Sequence, residues 1–243
     1  LDTESVACMV KHFSGGGPQK DGEDAHFPYG KDQVYPGDNF DYHLIPFEEG
    51  AFPARVSQIM PYYGVPVGQT QEEVAFGYNK EIITGLLREK YQFDGIICTD
   101  WGLVSTVGLE PLVILKPASD FGVEHLTEVE KVAKIINAGC DMFGGENTPN
   151  WVVQAVEQNL INEARIDQSL RRILREKVTL GLFDNPYLPI DVMPALDNVD
   201  HLKLGRSAQQ KSLVLLKNNQ RILPLSTTTK VHLIGFSEDI DYP

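Results

Sequence analysis

The sequence is poor in cysteine and contains no long apolar run. Its three cysteines, Cys8, Cys98 and Cys140, each lie among apolar residues, which predicts buried free thiols and neither a disulfide framework nor a metal site. No apolar stretch is long enough to span a bilayer, and the first residues lack the basic-then-apolar pattern of a signal peptide. We therefore expect no membrane partner.

Basic residues are scarce relative to acidic ones. The 243 residues include 21 Lys and Arg against 34 Asp and Glu, which gives a formal net charge of -13. A field of this sign repels the phosphates of nucleic acids and the anionic head groups of lipids. Nucleic acid is therefore not an expected partner, whereas a neutral small-molecule substrate experiences no such repulsion.

Four short apolar runs predict buried strands, and helical patterns lie between them. The predicted strands cover residues 6–10, 54–60, 93–98 and 140–143, and the predicted helices cover residues 73–90, 150–160, 167–180 and a segment between Thr127 and Gly139. The helix at 167–180 is expected to bury an apolar face formed by Leu170, Ile173, Leu174 and Val178. Strand and helix alternate, which predicts an α/β fold with a parallel sheet.

The number of strands predicts only part of a barrel. A closed (β/α)8 barrel of the TIM type has about 250 residues and eight strands, and about four strand and helix units precede Gly181. We expect residues 1–182 to form part of such a barrel, residues 183–199 to form a linker, and residues 200–243 to begin a second domain with a helix at 201–218 and a strand at 230–235. The long irregular segment 14–40 is expected to be an ordered active-site loop.

Polar residues stand at the ends of three predicted strands, where a parallel barrel places its active site. They are Lys11 and His12, then Met60 and Tyr63, and then Asp100 and Trp101. A carboxylate beside an indole suits glycoside hydrolysis, because the acid attacks the anomeric carbon while the aromatic face stacks on the sugar. From spacing alone it is equally open that Asp100 caps the following loop. Ordinary roles are also open to Lys11 and His12 on the surface and to Met60 and Tyr63 in packing.

The same residues belong to an ordered set of motifs that runs over nearly the whole chain, except residues 103–122. The set comprises Val10-Lys11-His12-Phe13-Ser14-Gly15-Gly16-Gly17, Ile59-Met60-Pro61-Tyr62-Tyr63, Asp94-Gly95-Ile96-Ile97-Cys98-Thr99-Asp100-Trp101-Gly102, Ala138-Gly139-Cys140-Asp141-Met142 and Ser212-Leu213-Val214-Leu215-Leu216-Lys217-Asn218. Each motif is modest, but their order is specific. Together they resemble glycoside hydrolase family 3.

This resemblance implies a TIM-type barrel followed by an α/β sandwich, which hydrolyses terminal glycosidic bonds with retention of configuration. It implies no metal and no organic cofactor, an oligosaccharide or other glycoside as substrate, β-glucosidase as the commonest activity, and a secreted or periplasmic location. By position, Asp100 matches the nucleophile that forms a covalent glycosyl-enzyme. The positions that match sugar-binding residues of the family are Lys11, His12, Met60, Tyr63 and Trp101.

Two parts of the family pattern are expected to lie outside this sequence. In most two-domain relatives the acid/base Glu belongs to the second domain, beyond residue 243, and the first barrel strands precede Leu1. The resemblance thus implies the C-terminal half of the barrel followed by the start of the sandwich domain. Such a fragment would need the remainder of its own polypeptide as a partner and would be inactive alone.

The sequence Asp24-Ala25-His26 offers an alternative acid/base. It resembles the dyad of single-domain N-acetylglucosaminidases of the family, although the preceding Ser14-Gly15-Gly16-Gly17 departs from that branch. A histidine oriented by an aspartate can act as a general acid near neutral pH, and the other interpretation is that His26 only contacts substrate or packs in the loop. β-N-acetylglucosaminidase-like or β-xylosidase activity with an Asp24/His26 dyad therefore stays open, as does a non-catalytic carbohydrate-binding relative.

A metal-dependent barrel hydrolase is a further alternative. Such enzymes place histidines and carboxylates with metal-ligand spacing at the strand ends. The sequence has no His-x-His or paired-ligand spacing there, so no metal ligand is assigned.

Overall fold

The structure is a computed structural model that describes residues 1–109, 114–187 and 198–232. The chain forms two compact units, Leu1–Tyr187 and Leu188–Pro243, and each unit is described by itself. Within the described residues of the first unit, the strands are β1 (Met9–Phe13), β2 (Asp32–Gln33), β3 (Gln58–Pro61), β4 (Val65–Pro66), β5 (Ile96–Ile97), β6 (Val107–Leu109) and β7 (Ile114–Lys116).

Three of these strands form the parallel sheet that the sequence predicts. Their order is β1-β3-β5, and both β1 with β3 and β3 with β5 run parallel. Strands β2 and β4 make a short parallel pair, whereas β6 and β7 form an antiparallel hairpin within the segment 103–122. The first unit is therefore an α/β fold with parallel sheets.

Helices α1 (Phe40–Ile45), α2 (Glu128–Ala138), α3 (Pro149–Glu157) and α4 (Glu163–Thr179) accompany a π-type helix at Glu81–Lys90. Helix α2 begins where its sequence predicts. The Thr127 side chain accepts a hydrogen bond from the Glu130 N–H, and the Glu130 carboxylate accepts one from the Thr127 N–H, which is a complete capping box. Gly139, with φ 123°, ends the helix.

An apolar core lies between the sheet and these helices. Its fully buried side chains include Phe13, Leu44, Ile59, Tyr78, Ile82, Ile83, Leu87, Ile97 and Ile135. Ile59 and Ile97 come from the central and last strands of the sheet, and Ile83 and Leu87 come from the π-type helix. Burial of this apolar surface is the main favourable contribution to the folding of the unit and fixes the sheet that carries the site.

The strands are shorter than predicted or shifted toward their carboxyl ends. The expected strand at 6–10 is observed at Met9–Phe13, because Val6 is exposed while pairing with β3 continues through Lys11. The expected strand at 93–98 is reduced to Ile96–Ile97. Its first residues do not join a ladder, since the Arg88 guanidinium donates hydrogen bonds to the carbonyls of Phe93 and Gly95, at 2.8 and 2.7 Å.

The predicted strand at 140–143 is an isolated parallel bridge between Cys98 and Met142. The Asp141 carboxylate accepts a hydrogen bond from the Ile97 N–H at 3.0 Å, so a side chain takes the donor that a longer ladder would use. The prediction of four buried strands is therefore wrong for this segment, although Met142 does extend the sheet by one pair.

The predicted helix at 73–90 is two elements. A 3-10 turn at Phe76–Tyr78 precedes the helix Glu81–Lys90, and Asn79 separates them. The Asn79 side chain accepts hydrogen bonds from the N–H groups of Glu81 and Ile82, at 3.1 and 3.2 Å, and so begins the second helix. Apolar spacing alone does not show this interruption.

Helix α4 packs with a different face from the one predicted. Leu170, Leu174 and Val178 are exposed, and Ser169 is the buried residue of the helix. The face of α4 that is turned toward the sheet carries polar and charged residues. These residues bind Asp141, whose side chain is fully buried. Its carboxylate accepts hydrogen bonds from Ser169 Oγ at 2.7 Å and Arg172 Nη1 at 3.0 Å, and it also pairs with Arg88. A buried carboxylate needs such partners. This need, and not the apolar pattern, decides which face of α4 packs inward.

The second unit contains helix α5 (Val199–Ser212), for which residues 201–218 were expected. The Asn198 side chain caps its first turn, which explains the earlier start. Most of the predicted linker at 183–199 and half of the predicted strand at 230–235 lie outside the described residues. Among the cysteines, Cys98 and Cys140 are buried and free as predicted, whereas Cys8 is exposed.

Candidate active site

The carboxyl ends of β1, β3 and β5 bring the central side chains together. His12 lies in β1 at a register shift, where Lys11 pairs with Met60 and Phe13 pairs with Pro61, so His12 itself has no opposite residue. An extra residue of this kind bends a strand and redirects its side chain. Tyr63 follows β3 by two residues and Asp100 follows β5 by three.

The Asp100 carboxylate is nearly buried and fully engaged. Asp100 is 8% exposed. Its Oδ2 lies 3.1 Å from His12 Nε2, and its Oδ1 accepts hydrogen bonds from the Tyr63 hydroxyl at 2.8 Å and from the Trp101 N–H at 2.7 Å. Partners from two other strand ends and from the following residue therefore fix both oxygens.

These hydrogen bonds determine the ionisation of Asp100. Burial by itself would raise the pKa of this carboxyl, but the hydrogen bonds from His12, the Trp101 N–H and Tyr63 outweigh burial and hold its pKa below the ordinary value. The sign follows because all three groups donate to the charged form. Asp100 is thus a preformed carboxylate in a site with little access for water.

Tyr63 connects Asp100 with the neighbouring backbone. Its hydroxyl lies 2.8 Å from Asp100 Oδ1 and 2.7 Å from the Trp101 carbonyl oxygen, and one phenolic proton serves only one of them at a time. Burial, followed by the charge of Asp100, raises the pKa of Tyr63 well above its ordinary value. The phenol is therefore a neutral donor beside a charged acceptor.

The segment 14–40 contributes the pair Asp24 and His26. His26 Nδ1 lies 2.7 Å from Asp24 Oδ1, and the same oxygen accepts a hydrogen bond from the His26 N–H at 2.9 Å. The backbone hydrogen bond from His26 contributes most to lowering the Asp24 pKa, against the effect of burial. The His26 ring meets the Tyr63 ring edge-on, with centroids 4.8 Å apart, which joins this pair to the surroundings of Asp100.

Trp101 presents a half-exposed indole beside the carboxylate. The indole lies against the backbone of Gly144 and Gly145, where a Cβ atom would collide with it. The Gly144 N–H donates a hydrogen bond to Thr99 Oγ1 at 2.9 Å, which ties this glycine loop to the strand end. The indole therefore keeps an exposed aromatic face next to the carboxylate.

The other two predicted residues, Lys11 and Met60, make no hydrogen bond to the Asp100 carboxylate within the described residues. Lys11 is exposed in β1, and Met60 is buried in β3 as its paired residue. The sequence reasoning did not assign Lys116, which ends β7 and lies over the Tyr63 ring at 4.2 Å from the centroid. The signal that could have revealed it is the apolar run Val113-Ile114-Leu115 before a lysine, the same strand-end pattern as at the other site residues.

Across the described ranges, no three His, Cys, Asp or Glu side chains are grouped so that they could hold a metal ion. Within the same residues, no helix is long and apolar enough to cross a membrane.

Comparison with known proteins agrees with the motif set. Residues 1–176 match the model of the "Glycosyl hydrolase family 3 N terminal domain". Because this match covers well over half of the sequence, the chain belongs to glycoside hydrolase family 3.

Two relatives illustrate the range of similar proteins. Beta-glucosidase C of Emericella nidulans is 48% identical over 240 residues, which is 97% of this chain and 38% of that protein. A periplasmic beta-glucosidase/beta-xylosidase of Dickeya chrysanthemi is 39% identical over 252 residues, covering 98% of this chain and 38% of that protein. The chain therefore spans less than two fifths of the length of these relatives.

Solved structures share the fold at lower identity. A family 3 β-N-acetylglucosaminidase from Paenibacillus sp. superposes with a TM-score of 0.64 at 24% identity, over 87% of this chain and 38% of that one. A β-glucoside phosphorylase, BglX, superposes with a TM-score of 0.65 at 21% identity, over 90% of this chain and 39% of that one. At these identities the likeness concerns the fold alone.

Proposed function

We propose that this chain provides the nucleophile and part of the sugar subsite of a retaining, β-glucosidase-like glycoside hydrolase. The observation that carries the proposal is the nearly buried, ionised Asp100 carboxylate beside the exposed Trp101 indole. A carboxylate in this state is a ready nucleophile for an anomeric carbon. The similarity of nearly the whole chain to proteins named beta-glucosidase supports glucose as the sugar.

In the proposed reaction, an Asp100 oxygen attacks the anomeric carbon while the bond to the leaving oxygen breaks and that oxygen takes a proton from a general acid. Water then attacks the same carbon, gives a proton to the same group, and releases Asp100. Two donors hold Oδ1, whereas Oδ2 has the single partner His12. We therefore assign the attack to Oδ2 and the orientation of the carboxylate to Oδ1.

The other sugar contacts follow from the positions of the side chains. Lys11 and His12 reach the carboxyl end of β1, where they can donate hydrogen bonds to sugar hydroxyls. Trp101 supplies the stacking face, and Met60 and Tyr63 line the inner side of the subsite. A neutral glycoside also suits a chain with a net charge of -13.

The sheet supports a larger architecture of the TIM type. Three parallel strands in sequential order, with a parallel bridge to Met142, are what consecutive units of such a barrel produce. We assign residues 1–182 to the C-terminal half of a barrel, residues 183–199 to a linker, and residues 200–243 to the start of an α/β sandwich domain. The rest of the barrel and the sandwich then complete the active site, so residues 1–243 alone should be inactive.

The proton donor defines a second candidate function. The hydrogen-bonded contact between Asp24 and His26, and the edge contact of His26 with Tyr63, favour an acid/base dyad close to the nucleophile. An enzyme with this dyad would be β-N-acetylglucosaminidase-like or a β-xylosidase. The other candidate for the proton donor is a carboxylic acid outside the described residues. A donor of that kind fits the β-glucosidase-like activity.

Substitution of His26 in the full-length protein separates these two sources. If His26 is the general acid, His26→Ala lowers kcat/KM on glycosides with poor leaving groups by about a hundredfold or more and spares activated nitrophenyl glycosides. If another group is the acid, both substrate types respond alike and weakly. The panel of β-glucoside, β-xyloside and β-N-acetylglucosaminide substrates identifies the sugar in the same experiment.

The stereochemistry of the first product tests the retaining reaction. Proton NMR of a β-glycoside during early hydrolysis should show the β-anomer of the free sugar before it mutarotates. Initial release of the α-anomer would contradict the double displacement on Asp100. Absence of turnover on the whole panel would instead favour a non-catalytic carbohydrate-binding protein.

A secreted or periplasmic location is our expectation, which the periplasmic Dickeya relative supports.

A further inference from the structure

Lys116 is a buried ammonium group that the proposed mechanism leaves without a role. It is 7% exposed and ends β7, in the hairpin of segment 103–122 that the family motifs do not cover. Lysine is rarely buried to this extent unless its charge is paired or hydrogen-bonded. Its surroundings therefore indicate what the charge does.

The Lys116 ammonium contacts the Tyr63 ring and the Trp101 carbonyl. Its Nζ lies 4.2 Å from the centroid of the Tyr63 ring, within the range of a cation–π interaction. The same Nζ donates hydrogen bonds to the Trp101 carbonyl at 3.2 Å and to Ser119 Oγ at 2.9 Å. The Trp101 carbonyl is also the second acceptor within reach of the Tyr63 proton.

We propose that Lys116 is a positioning residue for the nucleophile, which acts through Tyr63 by directing the single phenolic proton to Asp100. Donation from Lys116 occupies the Trp101 carbonyl and makes it a poorer second acceptor. The cation over the ring draws electron density from the phenol, so its O–H becomes a stronger donor. Both effects strengthen the hydrogen bond to Asp100 Oδ1.

The charges around the site are consistent with an ammonium at position 116. Burial holds the pKa of Lys116 below its ordinary value, and the carboxylates of Asp100, Glu146 and Asp24 oppose that shift by favouring the charged form. The ionisable groups that interact with the charge of Asp100 are His12 from β1, Tyr62 and Tyr63 after β3, Cys98 after β5 and Lys116 from β7. Removal of the ammonium should therefore make the Asp100 anion less stable.

The inference rests on the proposed function, and its test uses the full-length protein, with labelling of Asp100 by a 2-fluoro sugar established on one sample and kinetics measured on another, unlabelled sample. In Lys116→Gln, which keeps a donor but removes the charge, the acid limb of kcat/KM should move to higher pH and the maximum should fall about tenfold. Lys116→Arg should restore the wild-type acid limb. An unlabelled wild-type protein would defeat the proposed function, whereas a labelled enzyme whose Lys116→Gln variant keeps the wild-type profile would defeat only this inference.

A double-mutant cycle tests the route through Tyr63. In a Tyr63→Phe background, Lys116→Gln should change kcat/KM and its acid limb much less than in the wild type, because the proton that Lys116 directs is absent. Additive effects of the two substitutions would overturn the proposal. They would show that the charge of Lys116 acts on Asp100 independently of Tyr63.

Lys131 provides a matched control for loss of a buried lysine. It is also 7% exposed, and its ammonium pairs with Asp120 at 2.7 Å. Lys131→Gln should lower thermal stability and leave the acid limb unchanged. If Lys116→Gln fails to fold, Lys116→Met supplies the second neutral variant, and failure of both would show a role in folding only, which contradicts the proposal.

Discussion

At the scale of single residues, hydrogen bonds and not exposure to water keep Asp100 ionised. His12, Tyr63 and the Trp101 N–H each donate to the carboxylate, and together they outweigh the burial that would otherwise neutralise it. A group whose pKa is depressed in the fold contributes stability above its ordinary pKa, and that contribution is lost as pH falls through the folded value. Both activity and stability should therefore decline on the acid side.

Tyr63→Phe is predicted to raise the pKa of Asp100, because it removes one donor to the charged form. The acid limb of kcat/KM should shift to higher pH, and kcat/KM at the optimum should fall about tenfold. The pH–rate profile of the full-length enzyme on a nitrophenyl β-glucoside measures both. Tyr62→Phe is the matched control, since the Tyr62 hydroxyl bonds Gln19 instead of Asp100; an equal shift in that variant would contradict the assignment.

The sequence predicts some of the site residues and not others. Asp100, His12 and Tyr63 follow or end apolar runs, so strand-end logic predicts that they meet. Lys116 was not predicted as a site residue, because the segment 103–122 matches no motif. The contacts of Lys116 with Tyr63 and Trp101 are made across the fold. Contacts between distant segments depend on how loops close, which local patterns do not specify.

At the scale of elements, the glycine loop after α2 determines where the Trp101 indole lies. Gly144 and Gly145 leave room for the ring to pack on their backbone, and Gly145 has a φ of 71°. On the proposed role of Trp101, the loop therefore shapes the sugar subsite without supplying a polar group.

Gly145→Ala is predicted to displace the indole and to raise KM for glucosides about tenfold, with a smaller effect on kcat. Steady-state kinetics of the full-length enzyme measures this difference. Gly68→Ala is the control, because Gly68 has nearly the same φ, 72°, but open space around its Cβ position. Equal changes in both variants would attribute the effect to backbone strain and not to Trp101.

The elements themselves were predictable in kind but not in their bounds. The parallel order and the capping box of α2 follow directly from alternation and from Thr127 with Glu130. The inward face of α4 does not, because Asp141 recruits Ser169 and Arg172 in place of the apolar residues. A buried ion that bonds across elements overrides the local apolar period.

At the scale of the whole unit, the same Asp141 joins the sheet to two helices. Its carboxylate bonds the Ile97 N–H of β5, Arg172 of α4 and Arg88 of the π-type helix. Burial lowers the pKa of Arg88, while Asp141 opposes that effect. This cluster holds β5 three residues before Asp100, so it supports the strand that carries the site.

Asp141→Asn is predicted to destabilise the protein by about 3–5 kcal/mol, because it leaves buried guanidinium groups without their counter-charge. Thermal unfolding of the full-length protein should show a clear fall in Tm. Asp94→Asn is the control, since Asp94 pairs with Arg172 and Arg175 but its side chain is 63% exposed, and its loss should cost about 1 kcal/mol or less. Similar losses in the two variants would contradict this account.

The central claim is that Asp100 is the nucleophile of a retaining glycosidase, and covalent labelling tests it most directly. The full-length protein is incubated with 2-fluoro-β-glucosyl fluoride and digested, and its peptides are analysed by mass spectrometry, with Asp100→Asn as the control. We predict one fluoroglucosyl label on the peptide that contains Asp100 and none in the control. Turnover of β-glucosides together with a label on another residue, or with no label, would contradict the claim.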